Sequence, residues 1–167
     1  MTSIKLLLVD DDCELHRQWL CELFPQFEIH YANTLDEGIK KALTSDYDVV
    51  LLDHHFPEGG DARNFLRAVR KNKPWLQIVL FTGSASYPEV LASLEAGADD
   101  YLEKATDSTK RMEISIMAAV LRKRRLTGQT LIIDESRQEV LSKMISTATQ
   151  HIRSARTQLT EISNYGR

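Results

Sequence analysis

The chain has 167 residues, of which 43% are hydrophobic and 27% are charged. These apolar side chains suffice for the core of one domain of ordinary size plus an appendage, which excludes a chain that is disordered throughout. The formal net charge of -3 excludes a general attraction to nucleic acid or to an acidic membrane surface, so binding to either would require a local basic patch.

Apolar runs of strand length recur at residues 4–9, 27–32, 48–53, 77–82 and 99–103. Helix-length segments of mixed polarity separate these runs. Strands that alternate with helices predict an α/β fold, with a parallel sheet covered by helices on both faces. The runs that begin at 4, 48 and 77 are continuously apolar in their central part, which is typical of strands buried on both faces. These three strands are therefore expected in the middle of the sheet.

Local signals mark the ends of the helices between these strands. Asp12 is the expected N-cap of the first helix, and Thr34 with Glu37 forms a capping box that opens the second. Pro88 suits the first turn of the fourth helix, and Gly97 suits a left-handed C-cap after it. The segments between the apolar runs are thus predicted to be true helices rather than loops.

Polar side chains stand where the predicted strands end. Asp10 and Asp11 follow the first strand and Asp53 ends the third, while Thr82 and Lys104 end the fourth and fifth. If the strand order is 2-1-3-4-5, the crevice where such sheets bind ligands lies between strands one and three. Gathered carboxylates repel one another unless a cation or a proton relieves them, and hard divalent cations prefer oxygen ligands. The pattern predicts a magnesium-dependent phosphoryl site.

In this order and spacing, the chain resembles the receiver domain of two-component response regulators over about residues 1–125. The segments that carry the resemblance are Val9-Asp10-Asp11-Asp12, Asp53 with Pro57 four positions later, Phe81-Thr82-Gly83-Ser84 and the stretch from Gly97 to Lys104. The resemblance implies a flavodoxin-like, doubly wound (βα)5 fold whose five parallel strands have the order 2-1-3-4-5. The sequence departs from the family pattern at Ala105, where proline is usual, and at Gly83, where alanine is usual.

The resemblance also implies the chemistry of the acidic residues. Asp53 would accept a phosphoryl group from a phosphohistidine of a sensor histidine kinase or phosphotransfer protein. Asp11, Asp53 and the main-chain oxygen of His55 would bind Mg²⁺ (or Mn²⁺), and Asp10 would act mainly through metal-bound water. The side chain of His55 would tune the lifetime of the phosphoryl group; the alternative is a loop residue that only tolerates the turn.

Three further roles follow from the same resemblance. Thr82 would donate its hydroxyl to a phosphoryl oxygen, and Lys104 would supply a stabilising cation. Tyr101 would be an aromatic switch that turns inward when the threonine moves. Each residue has a simpler alternative, since Thr82 suits a strand, Lys104 suits a solvated surface and Tyr101 suits ordinary packing.

The histidines and cysteines give no separate signal of a metal site. Five histidines, at positions 16, 30, 54, 55 and 151, form no HxxxH or HExxH pair, so a histidine metal site is not expected. Cys13 and Cys21 form no CxxC pair and are expected to be reduced thiols. Neither a signal peptide nor an apolar run of membrane-spanning length is present, so a cytoplasmic protein without a membrane partner is expected.

The receiver-like domain is expected to span residues 1–126, with a last helix from about 108 to 125. Residues 127–167 are expected to form a connector and, from about 136, an amphipathic or coiled-coil-like helix. Its apolar positions alternate spacings of four and three: Leu141, Ile145, Ala148, Ile152, Ala155, Leu159 and Ile162. About three heptads favour a modest homodimer through 136–165 or docking on a partner, whereas packing against its own domain is the alternative.

The expected function is a signalling receiver and not an enzyme, apart from its own phosphorylation and dephosphorylation. Phosphorylation would switch self-association or binding to a downstream protein target. One alternative is the regulatory head of a larger output enzyme, such as a cyclic-dinucleotide enzyme, whose catalytic domain is absent from this chain. Another is a pseudo-receiver that acts without phosphorylation. A DNA-binding regulator is less favoured because no helix-turn-helix pair is recognised.

Overall fold

In a computed structural model of the chain, parallel strands alternate with helices, as the sequence predicts. The structure describes residues 4–57, 60–83, 85–104 and 109–128. Within these residues the strands are β1 (Ile4–Val9), β2 (Phe27–Ala32), β3 (Val49–Leu52), β4 (Gln77–Thr82) and β5 (Asp100–Glu103). The helices are α1 (Cys13–Leu23), α2 (Leu35–Thr44), α3 (Ala62–Asn72), α4 (Tyr87–Glu95) and α5 (Thr109–Thr127).

The strands form one parallel sheet with the order β2-β1-β3-β4-β5, which confirms the predicted doubly wound topology. Its register aligns the carboxyl ends of neighbouring strands, since Val9 pairs with Leu52 and Thr82 pairs with Glu103. The backbone N–H of Asp53 donates to the Val9 carbonyl at 2.8 Å. The residues that follow β1, β3 and β5 therefore lie along one edge of the sheet.

The three central strands, β1, β3 and β4, are buried on both faces, as their continuous apolar runs predict. Alternate side chains enter two separate cores. One core contains Leu8, Leu51 and Phe81 and is closed by α1 and α5, whereas the other is closed by α2 and α3. Each fully buried leucine or phenylalanine contributes about 1.5–3 kcal/mol, so these strands form the rigid centre that positions the site.

The predicted helix signals agree with the structure with two exceptions. Thr34 Oγ1 accepts a hydrogen bond from the Glu37 backbone N–H at 3.2 Å, but the Glu37 carboxylate accepts from the Asn33 backbone N–H, so only half of the predicted capping box is present. Pro88 lies in the first turn of α4. Gly97 follows α4 with φ of 114°, in the left-handed region that favours glycine. Asp12 holds the N-cap position of α1, but its side chain makes no capping bond there. Its φ of -98° and ψ of 33° place it outside the extended region usual for an N-cap.

A buried lysine attaches α5 to the start of β3. Lys123 is only 2% exposed, and its Nζ lies 2.7 Å from Asp46 Oδ1 and 3.6 Å from Asp48 Oδ1. On the other side of the sheet, Arg70 donates to the Gly97 carbonyl at 2.7 Å and so joins α3 to the turn before β5. These charged contacts hold the outer elements against the sheet.

α5 extends to Thr127, slightly beyond its expected end at about 125. The expected connector and the amphipathic helix from about 136 lie outside the described residues, and so does the expected homodimer surface at 136–165. Within the described residues, none of the helices combines the length and the apolar character needed to cross a bilayer.

Candidate functional site

An open cavity of about 560 Å³ lies at the carboxyl edge of the sheet. Its lining residues are Asp10, Asp11, Asp12, His16, Asp53, His55, Thr82, Gly83 and Lys104. The cavity spans the point where the strand order reverses between β1 and β3, which is the ligand-binding position of this architecture. Every residue that the sequence analysis assigned to the phosphoryl site lines this cavity except Tyr101.

Lys104 bridges two carboxylates in the cavity. Its Nζ lies 2.7 Å from Asp10 Oδ2 and 2.6 Å from Asp53 Oδ2. Asp10 is fully buried and Asp53 is 7% exposed, so neither charge is well solvated. An unpaired buried carboxylate is costly, and one ammonium group offsets only one of the two negative charges. The cavity therefore retains negative charge that a further cation can compensate.

The Asp53 carboxylate is held in a defined orientation. Its Oδ1 accepts hydrogen bonds from the backbone N–H groups of His54, at 2.6 Å, and His55, at 3.3 Å. Its Oδ2 faces Lys104. Because donors contact both oxygens, the plane of this carboxylate is fixed relative to the cavity. A carboxylate held in this way is preorganised to react or to bind a cation through a chosen oxygen.

Asp10, Asp11 and Asp53 form a group that fits a hard divalent cation. One carboxylate oxygen from each residue lies within 4.8 Å of those of the other two. Asp10 Oδ1 also accepts the backbone N–H of Asp12 at 2.8 Å, which fixes the first of these carboxylates. Ca²⁺ and Mg²⁺ bind oxygen ligands of this type, and Mg²⁺ needs only one or two protein carboxylates besides water. The donor set therefore fits the ion that the sequence analysis predicted.

His16 is a cavity residue that sequence reasoning missed. Its Nδ1 lies 2.9 Å from Asp10 Oδ2, although the alignment is not that of a hydrogen bond. Its ring meets the edge of Phe81 at a centroid distance of 6.1 Å. The available signal was its position one turn after the N-cap of α1, which places it above the acidic loop. Sequence analysis instead treated it as one of five scattered histidines.

Two aromatic rings connect the cavity to the core. Trp19 stacks on Phe81 with a centroid distance of 6.2 Å and an interplanar angle of 7°. The Lys104 Nζ lies 5.4 Å from the centroid of the same Phe81 ring. Trp19 is thus coupled through one aromatic ring to the cation of the site, and its fluorescence should report changes there.

A thiol also lies next to the site. Cys13 is buried at the start of α1, and its Sγ lies 2.8 Å from Asn33 Oδ1. Burial raises the pKa of the Cys13 thiol, and the nearby Asp10 carboxylate raises it further. This side chain is therefore a neutral packing residue at physiological pH and adds no charge to the cavity.

Tyr101 lies in β5, outside the cavity. Its side chain is partly buried and packs against the core between the sheet and α3. In the sheet register, Tyr101 is paired with Leu80 of β4. β5 is also joined to α5 by a hydrogen bond from Ser115 Oγ to Asp100 Oδ2. Tyr101 thus lies three residues before Lys104 and two register positions before the Thr82–Glu103 pair, and it is only partly buried.

Comparisons with known proteins identify the family. A model of the response regulator receiver domain matches residues 6–115. The transcriptional regulatory protein ResD of Bacillus subtilis is 34% identical over 103 residues, which are 60% of this chain and 41% of ResD. The hybrid signal transduction histidine kinase G of Dictyostelium discoideum is 35% identical over 107 residues, which are 61% of this chain and 3% of the kinase. The chain thus spans less than half the length of these curated relatives.

A solved structure agrees with this assignment. A CheY-like response regulator receiver domain protein from Methanospirillum hungatei JF-1 is 25% identical, with a TM-score of 0.65. The match covers 74% of this chain and 98% of that one. The shared strand order, the cavity at the carboxyl edge of the sheet and the match over most of the sequence lead to one conclusion. The chain belongs to the response regulator receiver domain family.

Proposed function

We propose that this receiver is controlled by phosphorylation of Asp53, with the phosphohistidine of a sensor histidine kinase or a phosphotransfer protein as donor. The observation that carries the proposal is the ion pairing of Lys104 with both Asp10 and Asp53 in one open cavity. A site that binds only an apolar partner has no need for two poorly solvated carboxylates and a lysine. A site of phosphoryl transfer needs both carboxylates that bind a metal ion and a cationic side chain that binds the phosphoryl oxygens.

In the proposed reaction, one oxygen of the Asp53 carboxylate attacks the phosphorus atom of the phosphohistidine. The P–N bond breaks, the imidazole leaves with its electron pair, and an acyl phosphate remains on Asp53. The backbone N–H groups of His54 and His55 hold the carboxylate plane during the attack. The chain itself therefore supplies the nucleophile and its orientation, and no other enzymatic activity is proposed.

The cation site and Lys104 would manage the charge of this reaction. Asp10, Asp11 and Asp53 would hold Mg²⁺, or Mn²⁺, directly or through water, with the main-chain oxygen of His55 as a further ligand. When bound, this ion offsets the repulsion between the carboxylate and the incoming phosphoryl group. Lys104 would exchange one carboxylate partner for a phosphoryl oxygen, because its Nζ already lies 2.6 Å from Asp53 Oδ2.

Thr82 and Tyr101 would transmit the phosphorylation of Asp53 to the protein surface. Thr82 is buried at the cavity wall, where its hydroxyl would donate to a phosphoryl oxygen. Tyr101 is partly exposed on the neighbouring strand, so an inward rotation would alter the surface near β5. The population of two surface states would then depend on phosphorylation.

His55, whose side chain lines the cavity, would influence the access of hydrolytic water and the lifetime of the acyl phosphate.

The output of the switch would be binding to a downstream protein or self-association in the cytoplasm, with the segment 136–165 as the proposed homodimer surface. A phosphorylation-independent pseudo-receiver is not favoured, because the acceptor, the acidic group, the hydroxyl and the lysine all line one cavity. No observation in the described residues supports the alternative that this chain is the regulatory part of a larger enzyme.

Beryllofluoride, which mimics a phosphoryl group on aspartate, tests the proposal. The titration would be made with Mg²⁺ in a Trp75→Phe background, so that Trp19 alone reports through Phe81. We expect a saturable fluorescence change, absent in Asp53→Asn and retained in Asp36→Asn, which alters an exposed acid on α2. Light scattering on the same samples would separate self-association from docking on another protein. A saturable response that persists in Asp53→Asn, or no response in the unaltered protein, would overturn the proposal.

A further inference from the structure

A second group of metal-binding side chains adjoins the acidic cavity. One potential ligand atom from each of His54, His55 and Glu89 lies within 4.8 Å of those of the other two. The two histidines belong to the loop between β3 and α3, whereas Glu89 belongs to the first turn of α4. The three residues line a separate cavity of about 440 Å³. The fold thus brings two loop histidines to a carboxylate on another element.

The histidine pair has the capacity to bind an ion. His54 Nδ1 is buried, and within the described residues it has no hydrogen-bond partner. A buried ring nitrogen without a partner costs free energy that a ligand would recover. The His54 and His55 rings are 5.0 Å apart between centroids and are tilted by 50°, and one nitrogen of each lies within 4.8 Å of the other.

Glu89 is ionised and only partly engaged. The Ser86 backbone N–H and the Ser86 hydroxyl each lie 2.7 Å from Glu89 Oε2, in a capping box at the start of α4. These hydrogen bonds hold the pKa of the Glu89 carboxyl below its usual range, and the nearby His54 and His55 act in the same direction. In the part of the chain described by the structure, these bonds all use Oε2, so Oε1 is available to a cation.

The other charges of this cavity do not oppose a cation strongly. Arg63 is the cationic residue of the lining, and its guanidinium lies 2.6 Å from the Asp61 carboxylate. These two charges largely compensate each other. The local balance therefore depends on Glu89, which carries one negative charge beside two imidazoles.

The ligand types indicate which ions the site prefers. Two imidazole nitrogens and one carboxylate oxygen form a set that suits Zn²⁺ and similar transition metals, whereas Mg²⁺ prefers oxygen ligands alone. Because Zn²⁺ lies about 2.0–2.1 Å from such ligands, two of them cannot be more than about 4.2 Å apart. The three ligand atoms lie within 4.8 Å of one another, about 0.6 Å beyond that limit at most, so zinc binding requires them to move closer together.

We propose that His54, His55 and Glu89 form a transition-metal site, with Zn²⁺ as the representative ion and the fourth position open to water. The site shares His55 with the lining of the acidic cavity but differs from that cavity in its other two ligands and in ligand chemistry. A bound ion would tie the loop after Asp53 to the first turn of α4. The absence of an HxxxH or HExxH pair concealed this site from sequence analysis, because the third ligand comes from a different element.

Calorimetric titration with ZnCl₂ tests the proposal in the intact chain. Mg²⁺ in excess would keep the acidic cavity occupied, and Cys21→Ser in every sample would remove the exposed thiol that competes for zinc. The ligand variants are His54→Gln and Glu89→Gln; glutamine at position 89 keeps a capping-box residue while removing the charged ligand. Matched controls are His30→Gln on β2 and Glu95→Gln at the end of α4. Thermal unfolding would confirm that each variant is folded.

We expect one saturable Zn²⁺ site whose affinity falls at least about tenfold in both ligand variants, since even loss of an outer-shell partner costs about 10–100-fold. The two control variants should bind as the parent does. Absence of a saturable site, unchanged affinity in the ligand variants, or a loss in the control variants would each overturn the proposal.

Discussion

Replacement of Lys104 by methionine tests the electrostatics of the acidic cavity. In the structure, Lys104 is the cation shared by Asp10 and Asp53, whose carboxylate oxygens lie 2.7 and 2.6 Å from its Nζ. Methionine retains much of the side-chain length but removes the charge. Without Mg²⁺, the variant must then hold two poorly solvated carboxylates at close range with no compensating ammonium group.

The expected loss of stability follows from burial. Removing one partner of a buried ion pair costs about 3–5 kcal/mol, because the charge that remains is uncompensated. The Lys104 side chain is 13% exposed at the mouth of an open cavity, so solvent screens part of the effect and the lower value, about 3 kcal/mol, applies. At one fixed Mg²⁺ concentration, a hundred times the Kd of the variant, the variant would gain about 2.7 kcal/mol, whereas a protein with a tenfold higher Kd would gain only about 1.4 kcal/mol. The variant should also bind Mg²⁺ at least roughly tenfold more tightly, because the competing cation is gone.

Urea unfolding followed by circular dichroism, in EDTA and in Mg²⁺, measures both effects. Lys110→Met, which alters an exposed lysine of α5, is the matched control and should change neither value appreciably. The reasoning would be refuted if Lys104→Met were as stable as the unaltered protein in EDTA. It would also be refuted if Mg²⁺ stabilised both proteins equally.

Three further predictions concern packing and reactivity. Asp46→Asn should cost more stability in urea unfolding than Lys123→Met, by about 1 kcal/mol, because Asp46→Asn leaves the 2% exposed ammonium with only the more distant Asp48 carboxylate, 3.6 Å away. The reverse order would contradict this account. Gly97→Ala should lower stability by about 1–3 kcal/mol, because φ of 114° is strained for alanine, and an unchanged unfolding midpoint would refute that reason. Iodoacetamide at neutral pH should alkylate the exposed Cys21 in the folded protein and Cys13 only after unfolding, because Cys13 is buried and burial raises the pKa of its thiol. Modification of Cys13 before Cys21, detected by mass spectrometry, would contradict the structure.

The strands and their order were accessible from the sequence because the apolar runs are long, continuous and separated by helix signals. β1, β2 and β4 have the predicted bounds; β3 begins one residue later and ends one residue earlier than expected, and β5 begins one residue later. Once the sheet is parallel, residues that end different strands must share an edge. Convergence of Asp10, Asp53 and Lys104 therefore required no knowledge of side-chain packing.

Features that depend on packing between elements were not accessible. His16 reaches the cavity because α1 packs against β1 and β4 with one particular rotation, which a single sequence does not specify. Glu89 meets His54 and His55 because α4 lies beside the loop after β3, and no local spacing records that contact. Sequence patterns describe positions within one element well, whereas contacts between elements also depend on how those elements are oriented.

The central claim is that Asp53 accepts a phosphoryl group, and direct location of that group tests it. The protein would be incubated with Mg²⁺ and acetyl phosphate, a small phosphodonor, and analysed by intact mass spectrometry. Borohydride reduction followed by peptide sequencing would then identify the acyl phosphate as homoserine at its position. We predict one phosphoryl group on Asp53, absent in EDTA and in Asp53→Asn. A phosphoryl group at another residue, or none on the folded protein even with a phosphohistidine donor, would contradict the account.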